Sequence, residues 1–333
     1  MPTDLENPTV SGAEGPSTLK NSAADKAAPE KPSQQLLLYK YVTVAGLSRM
    51  LRRSTMRFTQ PSAFNDPFEL LPEIIVPAGA EEKRFELKFD ISAPRSNLPA
   101  EEILEIPAGC GCSDAMSREI LQFLNKEIGI LSLSRVPNSL LMWSHYSDQY
   151  SGAVVGFDST HAFLANQFDV EYRSTRPRRH VETYLAGTPV SLAELCAKSS
   201  EWEYEQEVRV VRRLVDCKQS GTDARGFPIF VQDIPLEAIK VVIMGERTSL
   251  QNQRAIYAGI RETPIALSLL AVDHQGFTFR EERIKFNVPF SKMMPMISPR
   301  TAHIFADMPG TFGEFARQLI AQHPLSKIVN LPT

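Results

Sequence analysis

The chain has 333 residues, of which 43% are hydrophobic and 23% are charged, as is ordinary for a folded globular protein. Its 36 Lys and Arg residues and 39 Asp and Glu residues give a net charge of −3. This balance argues against nucleic-acid binding through bulk charge but leaves room for a local basic groove. No apolar run approaches the ~18 residues that a membrane-spanning helix needs, and no basic start followed by an apolar stretch indicates a secretory signal. We therefore expect a cytoplasmic protein without a membrane partner.

The four cysteines, Cys110, Cys112, Cys196 and Cys217, are too few and too scattered for a disulfide framework. We expect them to be reduced thiols, as is usual in the cytosol. The Cys110-Gly111-Cys112 sequence lacks a partner pair and is weak evidence for zinc. No metal ligand is assigned.

Composition and motif placement predict three segments. Residues 1–35 contain no aromatic residue and are rich in Pro, Ser, Ala, Glu and Lys, which predicts a disordered tail. Residues 36–285 carry all the motifs described below and are predicted to form one α+β domain. Residues 286–333 form a C-terminal extension, and its final helix is expected to close the core.

The predicted elements mix strands and helices. Short apolar or alternating runs predict strands over 36–42, 56–59, 129–135, 152–158, 168–174, 207–214, 227–232, 239–245, 265–272 and 276–284. Apolar residues at helical spacing predict helices over 44–53, 116–127, 139–148, 249–262 and 312–322. We expect Thr43 and Asn138 to cap the first and third helices, Thr248 to open the fourth, and Thr311 with Glu314 to form a capping box on the last.

This order is neither a strict βαβ alternation nor all-β. It predicts an α+β fold with a curved or split mixed sheet and flanking helices. The sequence contains no G-x-G-x-x-G and no P-loop, which argues against a Rossmann dinucleotide site and a P-loop nucleotide hydrolase.

The run EWEYEQEVRVV carries a pair of carboxylates. On a strand over 205–211, Glu205, Glu207 and Arg209 share one face, while Val208 and Val210 point to the other. Paired carboxylates can act as a general base, bind sugar hydroxyls or hold a metal ion. The alternative is a solvent-exposed strand edge whose charges serve solubility.

The run LMWSHYSDQY places Met142, His145 and Tyr146 on one side of a helix, next to Trp143. A His beside aromatic rings at a helix end can bind a ring or position a proton. The alternative is a core-packed aromatic helix.

The loop QPSAFNDPFE combines turn chemistry with two aromatic residues. Asn65 and Asp66 can bond their own backbone and lock a turn before Pro67. The side chains are then either turn formers or ligand contacts on a rigid loop. We expect Phe64 and Phe68 to be buried.

The run RSTRPRRH over 173–180 holds four arginines and a histidine. Such a patch can attract phosphate or nucleic acid, or it can be a solvated loop.

The motifs LYKY, FNDPFE, WSHY and WEYEQEVR, in this order, resemble those of a bacterial family of domains of unknown function. That family has an L-Y-[KH]-Y start, an F-N-D-P-F-E loop, a W-x-x-Y helix and a W-x-x-E-x-E-x-R strand. The resemblance covers about 36–285. It implies a domain but no activity.

The start of the chain also resembles ADP-ribosyltransferase-like folds, in which an L-Y-[HKR] strand precedes a helix and a short strand. This resemblance implies that Lys40 or Tyr41 contacts NAD, that His145 or Tyr146 supplies an aromatic position, and that Glu207 is the catalytic carboxylate, preceded by Glu205. In such chemistry a carboxylate stabilises the oxocarbenium-like state formed when nicotinamide leaves the ribose. Arg209 would orient Glu207 or bind phosphate.

The candidate catalytic residues are Glu207, Glu205, His145 and Tyr146, and the candidate ligand-binding residues are Lys40, Tyr41, Arg57, Asn65, Asp66, Trp143 and Arg209. Three hypotheses remain open. The first is an ADP-ribosyltransferase or NAD hydrolase in conflict or defence, with NAD as substrate and a nucleic acid or a protein as acceptor. The second is a non-enzymatic nucleotide-sensing module. The third is a metal-dependent nucleic-acid-processing enzyme that uses Glu205, Glu207 and Asp66.

Overall fold

The computed structural model describes residues 36–79, 83–90, 101–108, 113–185 and 190–329. The predicted tail over 1–35 lies outside these residues, as do Cys110 and Cys112. Cys196 and Cys217 are free thiols. Within the described ranges, none of the helices combines the length and the apolar character required to cross a bilayer.

The strands, in chain order, are β1 (Leu37–Val42), β2 (Thr55–Phe58), β3 (Glu73–Ile75), β4 (Phe85–Asp90), β5 (Glu101–Ile106), β6 (Ile128–Ser134), β7 (Ala153–Asp158), β8 (Gln167–Asp169), β9 (Tyr172–Arg173), β10 (Arg178–His180), β11 (Val190–Ser191), β12 (Lys198–Ser199), β13 (Glu207–Arg213), β14 (Lys218–Thr222), β15 (Pro228–Asp233), β16 (Ile239–Met244), β17 (Ala266–Val272) and β18 (Phe279–Lys285).

The α-helices are α1 (Val44–Arg53), α2 (Ser113–Glu127), α3 (Leu140–Tyr146), α4 (Val181–Leu185), α5 (Leu192–Leu195), α6 (Leu250–Ile260), α7 (Ala302–Phe305) and α8 (Gly310–Gln322). Short 3-10 helices include Pro61–Ala63, before the FNDPFE run, and Ser200–Glu205, before β13.

Eight strands form the main sheet, in the order β18-β17-β16-β7-β1-β6-β13-β8. The sheet is mixed, because β16 and β17 are parallel and joined through α6, while the other neighbours are antiparallel. Smaller sheets are formed by β14-β15-β2 and β11-β4-β5, and two strand pairs by β10-β3 and β12-β9. The predicted α+β class with a mixed sheet and flanking helices is confirmed.

β1 lies in the middle of the main sheet, and it pairs over different lengths with its two neighbours, β7 and β6. It pairs with β7 along its whole length, from Leu37 opposite Asp158 to Val42 opposite Ala153. Its ladder with β6 is recorded at a single residue pair, Tyr39 opposite Ser134. The two strands therefore part beyond Tyr39, and the pocket described below lies along this opening.

The two faces of the sheet have different partners, because successive side chains of a strand alternate. Ala153, Val155 and Phe157 of β7 join a large core with α1, α6, α7 and α8. Val154 joins a smaller cluster with Tyr41 and with Trp143 of α3. A third cluster packs α2 and α4 against β4. The described residues, from Leu36 onward, form one compact unit, and α7 and α8 share its main core.

Several local predictions are confirmed and others are wrong. Thr43 caps α1 by accepting from the Gly46 N–H. Ser139 caps α3 in place of Asn138, and Ser249, the residue after Thr248, caps α6. In both helices the capping side chain accepts from the N–H three residues further along the chain.

Three further expectations fail for structural reasons. The capping box of Thr311 and Glu314 does not form, because α8 begins at Gly310, one residue ahead of Thr311. The strand predicted over 168–174 is two strands with different partners, because β8 pairs with β13 and β9 pairs with β12. Phe68 is 59% exposed rather than buried, whereas Phe64 packs partly into the core.

Candidate functional site

The opening between β1 and β6 leads into a pocket with about 810 Å³ of empty space, its mouth included. Both strands, the FNDPFE loop, α3, β12 and the 3-10 helix before β13 contribute to its wall. The lining residues are Tyr39, Lys40, Tyr41, Thr59, Ala63, Phe64, Asn65, Asp66, Glu69, Ser132, Leu133, Ser134, Met142, Tyr146, Lys198, Trp202, Glu205 and Glu207.

Glu205 and Glu207 reach this pocket from two different elements. Glu205 ends the 3-10 helix Ser200–Glu205, and Glu207 begins β13. Between them, Gln206 adopts the left-handed conformation, with φ of 42° and ψ of 55°. The sequence predicted both carboxylates on one face of a single strand. They do share the pocket, but a left-handed residue between two elements brings them there, not the alternation of a strand.

Lys198 bridges the two carboxylates. Its Nζ lies 2.5 Å from Glu205 Oε2 and 3.3 Å from Glu207 Oε2, and 4.9 Å above the Trp202 ring. Burial opposes the charged form of Lys198, but the negative charges of Glu207 and Glu205 outweigh it and raise the pKa of the ammonium. A protonated lysine therefore occupies the position between the carboxylates.

Arg209 holds the far side of Glu207. Its Nε and Nη2 donate to Glu207 Oε1 and Oε2 at 2.9 and 3.0 Å, and its Nη1 donates to Glu69 at 2.5 Å. Burial raises the pKa of a carboxyl, but the positive charges of Arg209 and Lys198 outweigh it and lower the pKa of Glu207 to about 2. Glu207 is therefore ionised at neutral pH.

Glu69 is a further buried carboxyl of the pocket. Burial raises its pKa, although the Arg209 guanidinium acts in the opposite direction. Its Oε1 accepts from Arg209, whereas its Oε2 is buried without a hydrogen-bond partner among the described residues. An unpaired buried acceptor is costly unless a bound group supplies a donor.

Lys40 lines the pocket from β1. Its Nζ donates to the Ser132 carbonyl at 2.8 Å. Burial lowers the pKa of Lys40 to about 8, and the nearby Glu207 and Glu205 only partly offset this effect. Burial thus shifts the pKa of Lys40 downward, whereas the pKa of Lys198 is raised.

Two tyrosines fix the acidic segment. The Tyr146 hydroxyl donates to Glu205 Oε1 at 2.6 Å, and burial together with this bond raises the pKa of the phenol. The Tyr172 hydroxyl accepts from the Glu207 N–H at 2.7 Å, and burial raises its pKa to about 12. Both phenols are therefore protonated at neutral pH.

The structure brings together most of the residues proposed from the sequence. Glu207, Glu205, Tyr146, Lys40, Tyr41, Asn65 and Asp66 all line the pocket. Their chemical roles stay predictions.

Four proposed residues lie outside the pocket lining. His145 is exposed on α3 and only its ring edge faces Tyr146. Trp143 is fully buried against Tyr41, and its Nε1 donates to the Pro137 carbonyl. Arg57 forms an ion pair with Asp223. Arg209 is fully buried behind Glu207, so its side chain orients that carboxylate and has no exposed surface to offer a phosphate.

Sequence reasoning missed Lys198, Glu69 and Trp202. Glu69 and Trp202 stand inside the FNDPFE and WEYEQEVR motifs, so a signal existed for them. Lys198 had none, because it reaches the carboxylates only through the pairing of β12 with β9, which sets it opposite Tyr172.

The site is chemically a pair of carboxylates whose negative charge is balanced by neighbouring positive side chains. Glu205 and Glu207 share the Lys198 ammonium, Glu207 also pairs with Arg209, and aromatic side chains line the pocket beside them. In the part of the chain that the structure describes, no group of three or more His, Cys, Asp or Glu side chains is placed to hold a metal ion.

Residues 142–210 match the model of a family described as a protein of unknown function (DUF2971). The matched segment runs from α3 into β13 and contains Tyr146, Lys198, Glu205, Glu207 and Arg209. The pocket residues of β1 and of the FNDPFE loop precede it. No curated protein and no solved structure matches the chain. The ADP-ribosyltransferase resemblance therefore stays a prediction.

Proposed function

We propose that the pocket binds NAD and cleaves its nicotinamide–ribose bond, so that the protein is an NAD hydrolase or an ADP-ribosyltransferase of the cytoplasm. The observation that carries this proposal is the Glu207 carboxylate, which Arg209 and Lys198 hold ionised in an aromatic-walled pocket. A role in conflict or defence stays a prediction from the sequence.

The chemistry needs a fixed negative charge. When the C1′–N bond breaks, its electron pair goes to the pyridine nitrogen, and neutral nicotinamide leaves a ribose with oxocarbenium character. Water or an acceptor hydroxyl then attacks C1′ and loses its proton. Glu207, with its pKa near 2, remains negative throughout and stabilises the cationic sugar as a preorganised charge.

The remaining wall suits the other parts of the substrate. Tyr39, Tyr41, Phe64 and Trp202 offer ring faces or edges against which a nicotinamide can stack. The buried Oε2 of Glu69 accepts from a donor such as the carboxamide NH₂ or a ribose hydroxyl.

The test is a nicotinamide-release assay on the full chain with NAD. Glu207→Gln keeps the shape but removes the charge, and we expect release to fall by about 10²-fold or more. Glu203→Gln is the matched control, because Glu203 lies exposed on the adjoining 3-10 helix, and it should keep wild-type activity. A single cooperative unfolding transition above the assay temperature, for each of the three proteins, would show that all of them are folded. Release that persists in the Glu207 variant would contradict the proposal.

One observation favours the second candidate, a nucleotide-sensing module without turnover. Both oxygens of Glu207 accept from Arg209, one of them also from Lys198, and Glu205 accepts from Tyr146 and Lys198. These carboxylates can therefore serve to build the pocket wall. Calorimetry separates the candidates, since a sensor binds NAD with a measurable heat and releases no nicotinamide. The metal-dependent alternative has no comparable support, because Lys198 already stands between the carboxylates.

A further inference from the structure

A second pocket adjoins the first and shares two of its residues. It has about 630 Å³ of empty space, its mouth included, and both Asp66 and Lys198 line the two pockets. The two pockets therefore adjoin at these two side chains. The second pocket is formed by the basic run after β9, by the FNDPFE loop and by β12.

The charge of this second pocket is predominantly positive. Arg173, Arg176 and Lys198 line it, against the single carboxylate of Asp66, whose Oδ1 accepts from the Phe68 N–H at 2.9 Å. Arg176 donates from Nε and Nη2 to the carbonyls of Leu71 and Pro72, at 2.8 and 2.9 Å, which fixes its guanidinium on the loop. Arg173 is exposed and pairs with Glu171 on the rim.

Phe68 adds an exposed aromatic ring to this pocket. Its side chain is 59% exposed, although the loop around it holds the buried Asp66 and Glu69. The hydrogen bond from the Phe68 N–H to Asp66 Oδ1 fixes the backbone of Phe68. An exposed ring on a fixed loop, beside arginines, is a surface on which a nucleobase stacks.

We propose that the second pocket binds a second nucleotide unit, with its phosphate on Arg173 and Arg176 and its base on Phe68. This inference rests on the proposed function, in which NAD occupies the first pocket, and it extends that function to the second pocket. The unit has two sources, the adenylate half of the NAD molecule or one nucleotide of a nucleic-acid acceptor. Both present the same phosphate and base to the same side chains.

The first arm of the test measures AMP binding to the full chain by calorimetry. Arg173→Ala and Phe68→Ala should each weaken AMP binding by about tenfold, as the loss of a base stack or a phosphate contact does. Arg118→Ala and Phe277→Ala are the matched controls, since both residues are exposed and lie outside the second pocket, and they should bind AMP as the wild type does.

The other arms identify the source and use NAD, nicotinamide mononucleotide and a short single-stranded oligonucleotide. If the adenylate half is the occupant, the two variants bind NAD more weakly and nicotinamide mononucleotide unchanged. If an acceptor strand is the occupant, they lose oligonucleotide affinity while NAD affinity stays. Wild-type protein that binds neither AMP nor the oligonucleotide, or variants that bind both as tightly as the wild type, would overturn the inference. Because AMP binding needs no turnover, failure of nicotinamide release would leave this result standing.

Discussion

Arg209 shows how a single side chain organises the pocket. Its guanidinium is fully buried and donates to two carboxylates, Glu207 and Glu69. Taking a guanidinium out of water is expensive, and only well-placed carboxylates offset that cost. Arg209 orients the Glu207 carboxylate toward the pocket and keeps this carboxylate negatively charged.

Because Glu207 is ionised in the folded protein, the free energy of unfolding depends on pH in the acid range. Its pKa is lowered from 4.5 to about 2 by folding, so its contribution is fully present above pH 4.5 and is lost as the pH falls toward 2. The shift corresponds to about 3 kcal/mol. We expect the free energy of unfolding of the wild type to drop by about that much more than that of Glu207→Gln over this window.

Urea titrations from neutral pH down to about pH 2 would measure this difference. Glu203→Gln, at an exposed position, should follow the wild type at every pH within about 0.5 kcal/mol. Parallel pH profiles for the wild type and Glu207→Gln would show that Glu207 titrates normally in the folded protein.

At the scale of elements, the turn at Gln206 joins the 3-10 helix to β13. Its left-handed conformation is uncommon for residues with a Cβ, and the side chain of Gln206 is exposed. The strain is therefore backbone strain and does not arise from packing. The turn allows Glu205 and Glu207, on either side of Gln206, to share Lys198.

Substitutions at Gln206 should separate strain from packing. Gln206→Gly relieves the left-handed strain and should be as stable as the wild type or more stable by up to about 1 kcal/mol. Gln206→Val places a β-branched residue there and should lose about 1 kcal/mol or more. Denaturation midpoints measure both, and a valine variant as stable as the wild type would contradict the role given to this turn.

At the scale of the whole molecule, the last helices belong to the main core. Phe305 of α7 is fully buried, with its ring 5.1 Å from that of Tyr257 on α6 and 5.3 Å from that of Phe312 on α8. The same cluster contains Leu38 of β1 and Val155 of β7. The strand that carries Lys40 is thus supported by residues some 260 positions later.

Phe305→Ala tests this connection. Removing a buried ring should cost about 3–5 kcal/mol, and unfolding should remain one transition for residues before and after 285. Phe315→Ala is the control and should cost much less, because Phe315 lies on the next helix, α8, and is 50% exposed. Two separate unfolding transitions, followed by tryptophan fluorescence and by circular dichroism, would indicate that the C-terminal helices fold independently.

The sequence by itself determined the features that depend on near neighbours. The Thr43 cap of α1, most strands of the main sheet and the α+β class follow from caps and periodicity within about ten residues. Acidic and aromatic motifs also indicated much of the pocket wall. Cap positions shifted by one residue, as at Asn138 and Ser139, because two adjacent polar side chains satisfy the same local pattern.

Only the tertiary structure decided which charges meet. Lys198 reaches Glu205 and Glu207 through the pairing of β12 with β9, and Arg209 reaches Glu69 across 140 positions of the chain. Strand order brings these groups together, and local periodicity does not encode it. Burial then assigns each charge its state, because desolvation and a partner charge act only once the chain has folded.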